Sequence, residues 1–341
     1  MKNKKLFKIH INFATKDTAW GGGNSFLRNL KGELSKSSNY INNTKEADVI
    51  IFNAHHHLLD TLSIKKNFPS KIFIHRLGGP MKGLRNNGFL LDLLIRTFNT
   101  NVADATIFQS KWSMSENVKN GYSVQKFFKI IGNGVNRRSL KKNTKDNFIK
   151  KNKIEICFAS WSNNKTKGLE TLKYLDKNLD FKKYVIKVYG NLDYNFKNIK
   201  CFGPKEPKDL SKIIRKSDIF LFASYKEAYS NMLIEAISSG LPVLTRKASS
   251  NTEIVLDNRL LFSNNNEIIS KLDSIAKNLS KNVNYKFKIL NLGQVASEYV
   301  SFSKYVISNI DKESVKKINI LNFIKLHIVY YVIKFLLFIM A

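Results

Sequence analysis

At 341 residues the chain is long for a single hydrophobic core and suits two domains of ordinary size. Its 43% apolar and 24% charged residues exclude a disordered chain, and two cysteines, Cys157 and Cys201, are too few for a disulfide framework and lack metal-ligand spacing, as in a reducing compartment. The net charge of +31 is carried by lysines spread along the chain, so it fits either a biased composition or attraction to an anionic surface, whether lipid, lipid diphosphate or nucleic acid.

Residues 1–5 are basic, but the apolar stretch from Leu6 to Phe13 is short and interrupted by Lys8, His10 and Asn12. It has no small-residue cleavage site and reads as a first strand rather than a secretory signal. Up to residue 140, apolar runs alternate with amphipathic stretches in the βαβ rhythm of a parallel sheet, with strands expected at 6–14, 48–53, 71–75, 104–109 and 127–132. Gly21, Gly22 and Gly23 follow the first strand and precede a helical pattern from Phe26 to Leu34; such glycines let a backbone approach a ligand, though a glycine turn opening a helix is common. His55, His56 and His57 follow the second strand, and three in a row cannot all face one way, so no metal site is expected there. His75 ends the run KIFIH; a histidine at a strand end is by itself a common core residue, and Arg76 beside it could meet a phosphate bidentately.

Residues 137–152 are polar, charged and weakly periodic, which marks a linker. The expected division is therefore 1–140, a linker at 141–152, a second domain at 153–300 and C-terminal helices at 301–341. A second βαβ series places strands at 154–159, 184–189, 199–202, 218–222 and 242–245. Lys167 and Gly168 fall at a strand–helix junction, with Lys165 nearby. The stretch RKSDIFLFASYKEAYSNMLIEAISSGLP at 215–242 reads as a buried strand, a loop carrying Glu227, and a helix capped by Ser230 and Asn231, stopped by Gly240 and Pro242. A loop at the carboxyl end of a parallel strand is where open α/β sheets bind ligands, and a helix N-terminus there favours phosphate. Glu235 lies inside that helix among Leu233, Ile234, Ala236 and Ile237, where an ionised group normally has a partner. The tail from Ile318 to Ala341 is apolar and aromatic, but Lys325, His327 and Lys334 interrupt it. That pattern favours a helix at a membrane interface or packed on the protein over a spanning segment. Residues 296–310 can supply a helix that closes the chain on the first domain.

Glu227 and Glu235, with seven residues between them, resemble the signature of the nucleotide-sugar glycosyltransferases of group 1, also called family 4. Further matches occur in order: ASWSNNKTKGLETL at 159–172, VYGN at 188–191, CFGPKEPKDL at 201–210, GLPVLTRKASSNTEIV at 240–255, and in the first half KIFIHRLGGP at 71–80, ADATIFQSKWS at 103–113 and GNGVN at 132–136. The resemblance implies an α/β chain of two Rossmann-like domains facing each other across a cleft, the GT-B architecture, here with an extra apolar C-terminal helix. It implies a retaining, metal-independent hexosyltransferase that uses no cofactor and moves a sugar from a nucleotide sugar to a glycan or lipid-linked acceptor in surface polysaccharide or lipopolysaccharide synthesis. The place of work would be the cytoplasm, peripheral at the membrane face, with contact through 318–341 and the basic surface. His75, Glu227 and Lys167 would be catalytic. Glu235, Lys165, Arg76, Gly22, Tyr229, Ser230 and Asn231 would bind the donor, Glu235 through the ribose hydroxyls. Two departures stand out: Ser160, Trp161 and Ser162 occupy the neighbourhood of the family's diphosphate-binding arginine, and Ser249 and Ser250 replace its paired glycines. No Asp-x-Asp motif occurs, which disfavours the metal-dependent transferases of the other main fold. Two other readings are a nucleotide-sugar epimerase of the same fold and a non-enzymatic nucleic-acid binder; dispersed lysines and strand-bound aromatics count against the latter.

Overall fold

The computed structural model describes residues 7–16, 21–136, 152–160, 164–281 and 283–340. The chain divides into two compact units, Met1–Asn133 with Leu292–Ala341, and Gly134–Asn291. The linker expected at 141–152 lies outside the described residues except for residue 152.

The first unit is built on five parallel strands, β1 (Ile9–Asn12), β2 (Val49–Asn53), β3 (Ile72–Leu77), β4 (Ala105–Phe108) and β5 (Phe128–Ile130), hydrogen-bonded in that order. Between them run α1 (Gly21–Lys36), α2 (Leu58–Asn67), α3 (Gly88–Val102) and α4 (Lys111–Lys119). Strands β1 to β4 are buried along their whole length, which explains why they read as near-continuous apolar runs. An isolated parallel bridge from Ile9 to Tyr40 extends the sheet beyond β1. The chain thus winds outward from β1, then turns back to β2 and on to β5. The reversal between β1 and β2 places α1 and α2 on opposite faces of the sheet, as right-handed crossovers require.

The second unit holds β6 (Gly134–Val135), β7 (Ile154–Ser160), α5 (Leu169–Asn178), β8 (Tyr184–Gly190), β9 (Lys200–Phe202), α6 (Pro207–Lys216), β10 (Ile219–Phe222), α7 (Asn231–Ser238), β11 (Val243–Arg246), α8 (Asn251–Ile254), β12 (Leu261–Phe262), α9 (Ile268–Ala276) and β13 (Leu290–Asn291). Six parallel strands lie in the order β12-β11-β10-β7-β8-β9, and β6 pairs separately with β13. That six-strand order is the doubly wound one, with the direction of winding reversing between β7 and β10. One large core fills this unit, from Ile156 and Phe158 of β7 through Phe220 of β10 to Leu233 and Ile237 of α7.

After β13 the chain returns to the first unit with α10 (Leu292–Asn309), which packs on α1 and β3, and α11 (Ile320–Ile339), which packs on α2 and α3. Tyr299 of α10 is fully buried. A buried ion pair ties the tail to the sheet: Lys65 Nζ meets Asp104 Oδ2 at 2.9 Å, and the Lys316 amide donates to Asp104 Oδ1 at 2.8 Å. All ten strands expected from the sequence are present, with ends shifted by at most three residues, and α11 is the apolar C-terminal helix.

Candidate functional site

The winding reversal of the second unit brings two loops together, one after β7 and one after β10. The first carries a single 3-10 turn, Lys165–Lys167, opened by Asn164, whose side chain accepts from the Thr166 amide at 2.9 Å. Gly168 closes the turn at φ 100°, and an added Cβ would lie 2.4 Å from the Ala223 Cβ, so only glycine fits where the turn crosses the end of β10. The loops are stitched by the Tyr225 amide, which donates to the Thr166 carbonyl at 3.1 Å, with Ser224 Oγ 3.2 Å from the same carbonyl.

Across that seam Lys167 Nζ meets Glu227 Oε1 at 2.5 Å, with side chains 26% and 16% exposed. The Ser224 hydroxyl donates to the same carboxylate oxygen at 2.8 Å. Glu227 is positioned through its backbone as well: its amide donates to the Ser249 hydroxyl at 3.1 Å, and its carbonyl accepts from the Ser250 amide at 3.3 Å. Asn251, fully buried, binds the third loop in place by donating to the carbonyls of Ser224 at 2.8 Å and Arg246 at 3.0 Å. Four buried polar atoms around this crossing have no partner among the described residues: Thr166 Oγ1, Thr245 Oγ1, Ser250 Oγ and Asn251 Oδ1.

Helix α7 begins four residues after Glu227. Ser230 is its N-cap, accepting from the Leu233 amide at 3.3 Å, which leaves the amides of the first turn as a partial positive charge beside the Lys167–Glu227 pair. Tyr229 packs on the unit's core, and its hydroxyl donates to the Lys288 carbonyl at 3.4 Å. Glu235 lies one turn into α7. Among the described residues its carboxylate has no hydrogen-bond or ionic partner, and burial pushes it up to about 7. Lys165 is exposed on the 3-10 turn. The structure thus gathers Lys167, Glu227, Tyr229, Ser230 and Asn231 at one crossing, with Lys165 and Glu235 on the elements that form it.

Three residues expected at the site lie in the first unit. Gly22 sits in the first turn of α1. His75 does not end its strand, because β3 continues through Arg76 to Leu77. It is 0% exposed, stacked on Phe52 at 4.0 Å between ring centroids, and held by the Ala54 carbonyl at Nε2 (2.9 Å) and Asn99 Nδ2 at Nδ1 (3.2 Å). Burial pushes its pKa down to about 3, so it is a neutral core imidazole with both nitrogens engaged, and the expectation that it faces a donor is corrected. Arg76 is corrected on the same ground. It is 1% exposed and spends its guanidinium on Tyr299 Oη (3.0 Å), Asn53 Oδ1 (2.8 Å) and Asn133 Oδ1 (2.7 Å), with its face 4.5 Å from the Phe26 ring centre. Three of its five N–H groups are so engaged, and the guanidinium is buried away from any phosphate arriving from solvent.

Sequence reasoning missed Ser224, Ser249 and Asn251 as positioning residues. The signal was the small polar run ASSNTE after β11. Ser249 adopts φ 49°, a conformation glycine takes freely, which accounts for glycine in the resembled pattern at this place. Its hydroxyl holds the Glu227 amide instead. Trp161 and Ser162, flagged as departures, lie outside the described residues.

The first unit has its own opening at the winding reversal between β1 and β2. A cavity of about 380 Å³ is lined by His10, Asn12, Lys31, His57 and Asp60, among others. His10 Nδ1 faces the Ile41 carbonyl at 3.1 Å, and burial lowers its pKa, so the ring is neutral and donates there. Among the described residues, no three His, Cys, Asp or Glu side chains are grouped to hold a metal.

Residues 141–288 match the family model of the glycosyl transferases group 1. A protein of Klebsiella pneumoniae described as an uncharacterized 41.2 kDa protein in the cps region is 25% identical over 143 residues, which span 39% of this chain and 40% of that relative. HepE of Anabaena, crystallised with UDP, has 14% identity over 89% of this chain and 99% of its own, with a TM-score of 0.62. Sucrose-phosphate synthase of Thermosynechococcus elongatus has 12% identity over 89% of this chain and 100% of its own, with a TM-score of 0.65. Those likenesses show the fold. Given the doubly wound sheet, the Glu227–Glu235 pair and the family match over the same residues, the chain carries at 141–288 the domain of the glycosyl transferases group 1 family and has the GT-B type of fold.

Proposed function

We propose that this protein is a hexosyltransferase that moves a sugar from a nucleotide-sugar donor to a glycan or lipid-linked acceptor in surface polysaccharide synthesis. The observation that carries the reading is the Lys167–Glu227 pair at the β7/β10 reversal, beside the start of α7. The pair is a resting arrangement. An incoming diphosphate competes for the Lys167 ammonium and meets the α7 amides, which releases Glu227 to accept from hydroxyls of the donor sugar. Glu235, whose carboxylate has no partner among the described residues, accepts from the ribose hydroxyls. A charge-assisted hydrogen bond of this kind contributes about 1.5–3 kcal/mol. Relatives of the same fold crystallised with UDP and UDP-glucose make a uridine-diphosphate sugar the first donor to try.

Transfer with retention follows a front-side course. The bond from the anomeric carbon to the leaving phosphate oxygen breaks, the acceptor oxygen bonds on the same face, and its proton passes to the leaving phosphate. No side chain serves as nucleophile, and neither a metal nor a cofactor takes part. The cytoplasmic face of a membrane is the place of work, a reading supported by the attraction of a basic chain to an anionic surface. Calorimetry with UDP-glucose tests the reading: Lys167→Met and Glu235→Ala each weaken binding at least about tenfold, with the fold intact by circular dichroism. Unchanged affinity in both variants overturns the assignment of the donor site.

A further inference from the structure

The last helix has two apolar faces, and the first unit covers only one. Leu326 and Ile333 are 2% and 3% exposed and join the core of Phe73, Leu62, Leu94 and Phe98. Asn87 Nδ2 donates to the Met340 carbonyl at 2.7 Å, which fastens the far end of α11 to the start of α3. With about 100° of turn per residue, Leu321, Ile324, Ile328, Tyr331, Phe335 and Phe338 project on the opposite side. All six are exposed, Leu321 by 74% and Phe338 by 81%.

By length and composition α11 could cross a bilayer, with a mean hydropathy of 1.7. Crossing would strip Leu326 and Ile333 from their core and carry Lys325 and Lys334 into hydrocarbon. Lying flat costs neither. Both lysines are exposed and flank the outer apolar stripe, one on each side, and α11 contains no acidic residue. Lys66 of α2 adds a cation beside the helix, 4.1 Å from the Phe323 ring centre. An aromatic-rich stripe with a cationic rim suits the boundary between acyl chains and anionic headgroups. A second copy of the chain fits less well, since stacking two such stripes would crowd four lysines with no carboxylate on either helix.

We propose that the outer face of α11 is a docking surface for an anionic phospholipid bilayer, with the helix in the plane of the interface and Lys325 and Lys334 reaching headgroup phosphates. This rests on the reading that the protein works at a membrane face, but not on its chemistry. The test is flotation of the full chain with phosphatidylcholine vesicles, with and without phosphatidylglycerol. Binding is expected only with phosphatidylglycerol. The double variant Ile328→Glu, Phe335→Glu should lower it at least about tenfold, and Lys325→Gln and Lys334→Gln about fivefold each. All variants should keep the wild-type thermal melt and UDP-glucose affinity, so loss of vesicle binding is separable from loss of the donor site. Undiminished vesicle binding by the double variant overturns the proposal. So does self-association of the wild type, abolished by Phe335→Glu, in a protein that never floats with vesicles.

Discussion

Replacing Glu235 by glutamine should make the free protein more stable at pH 8 while weakening nucleotide-sugar binding. The carboxyl is raised from 4.5 to about 7 by burial, with no hydrogen-bond or ionic partner among the described residues. A shift of about 2.5 units corresponds to roughly 3 kcal/mol of cost for the ionised form in the folded state. The sign follows from which state holds the proton. Between pH 4.5 and 7 the folded protein keeps a proton that the unfolded chain releases, so wild-type stability falls as pH rises through this window and levels off above 7. Glutamine carries no such term. Urea unfolding of both proteins at pH 5 and pH 8 measures it: the variant gains roughly 3 kcal/mol relative to wild type between the two. In parallel, UDP-glucose, whose diphosphate diester does not titrate here, should bind wild type about tenfold more weakly at pH 6 than at pH 8 as Glu235 protonates, and Glu235→Gln should abolish that dependence. A stability difference that does not change with pH, or an equal pH slope for binding in both proteins, refutes the reasoning. A positive result would identify Glu235 as a group kept at the expense of stability for the ligand's sake.

His75→Leu removes two buried hydrogen bonds and should cost about 1–3 kcal/mol in urea unfolding, with UDP-glucose affinity unchanged; lost binding in a folded variant would restore His75 to the donor site. Asp104→Ala leaves the Lys65 ammonium buried with no carboxylate, facing the Lys71 carbonyl at 2.9 Å and the Phe73 ring, and should destabilise the first unit by about 3–5 kcal/mol, read by thermal melting. Gly168→Ala forces a Cβ against Ala223 at positive φ and should cost more than about 1 kcal/mol. It should also weaken UDP-glucose binding by displacing Lys167, measured by calorimetry.

Strand positions were legible because β1 to β4, β7, β8, β10 and β11 are largely buried, and burial writes itself into sequence as short apolar runs. The α7 start at Ser230–Asn231 was legible from capping chemistry, which is local. The apolar neighbours of Glu235 called for a partner, and among the described residues its carboxylate has none. His75 and Arg76 misled because a local pattern ends a strand where a charge appears. Arg76 continues β3 only because its partners come from 23, 57 and 223 residues away. The same limit hid Ser249 and Asn251, whose roles depend on which loops the winding reversal makes neighbours.

The bond from Arg76 to Tyr299 also sets an order of events during synthesis. The guanidinium emerges from the ribosome 223 residues before the hydroxyl that completes its cage. At common translation speeds that interval is roughly ten to forty-five seconds. All of Gly134–Asn291 is made in the meantime and can reach its native form first. The nascent amino-terminal half must wait, with an unquenched cation in its unfinished interior, for α10 to arrive. Chaperone demand and premature proteolysis should therefore fall on the segment translated earliest, while the inserted unit matures on schedule.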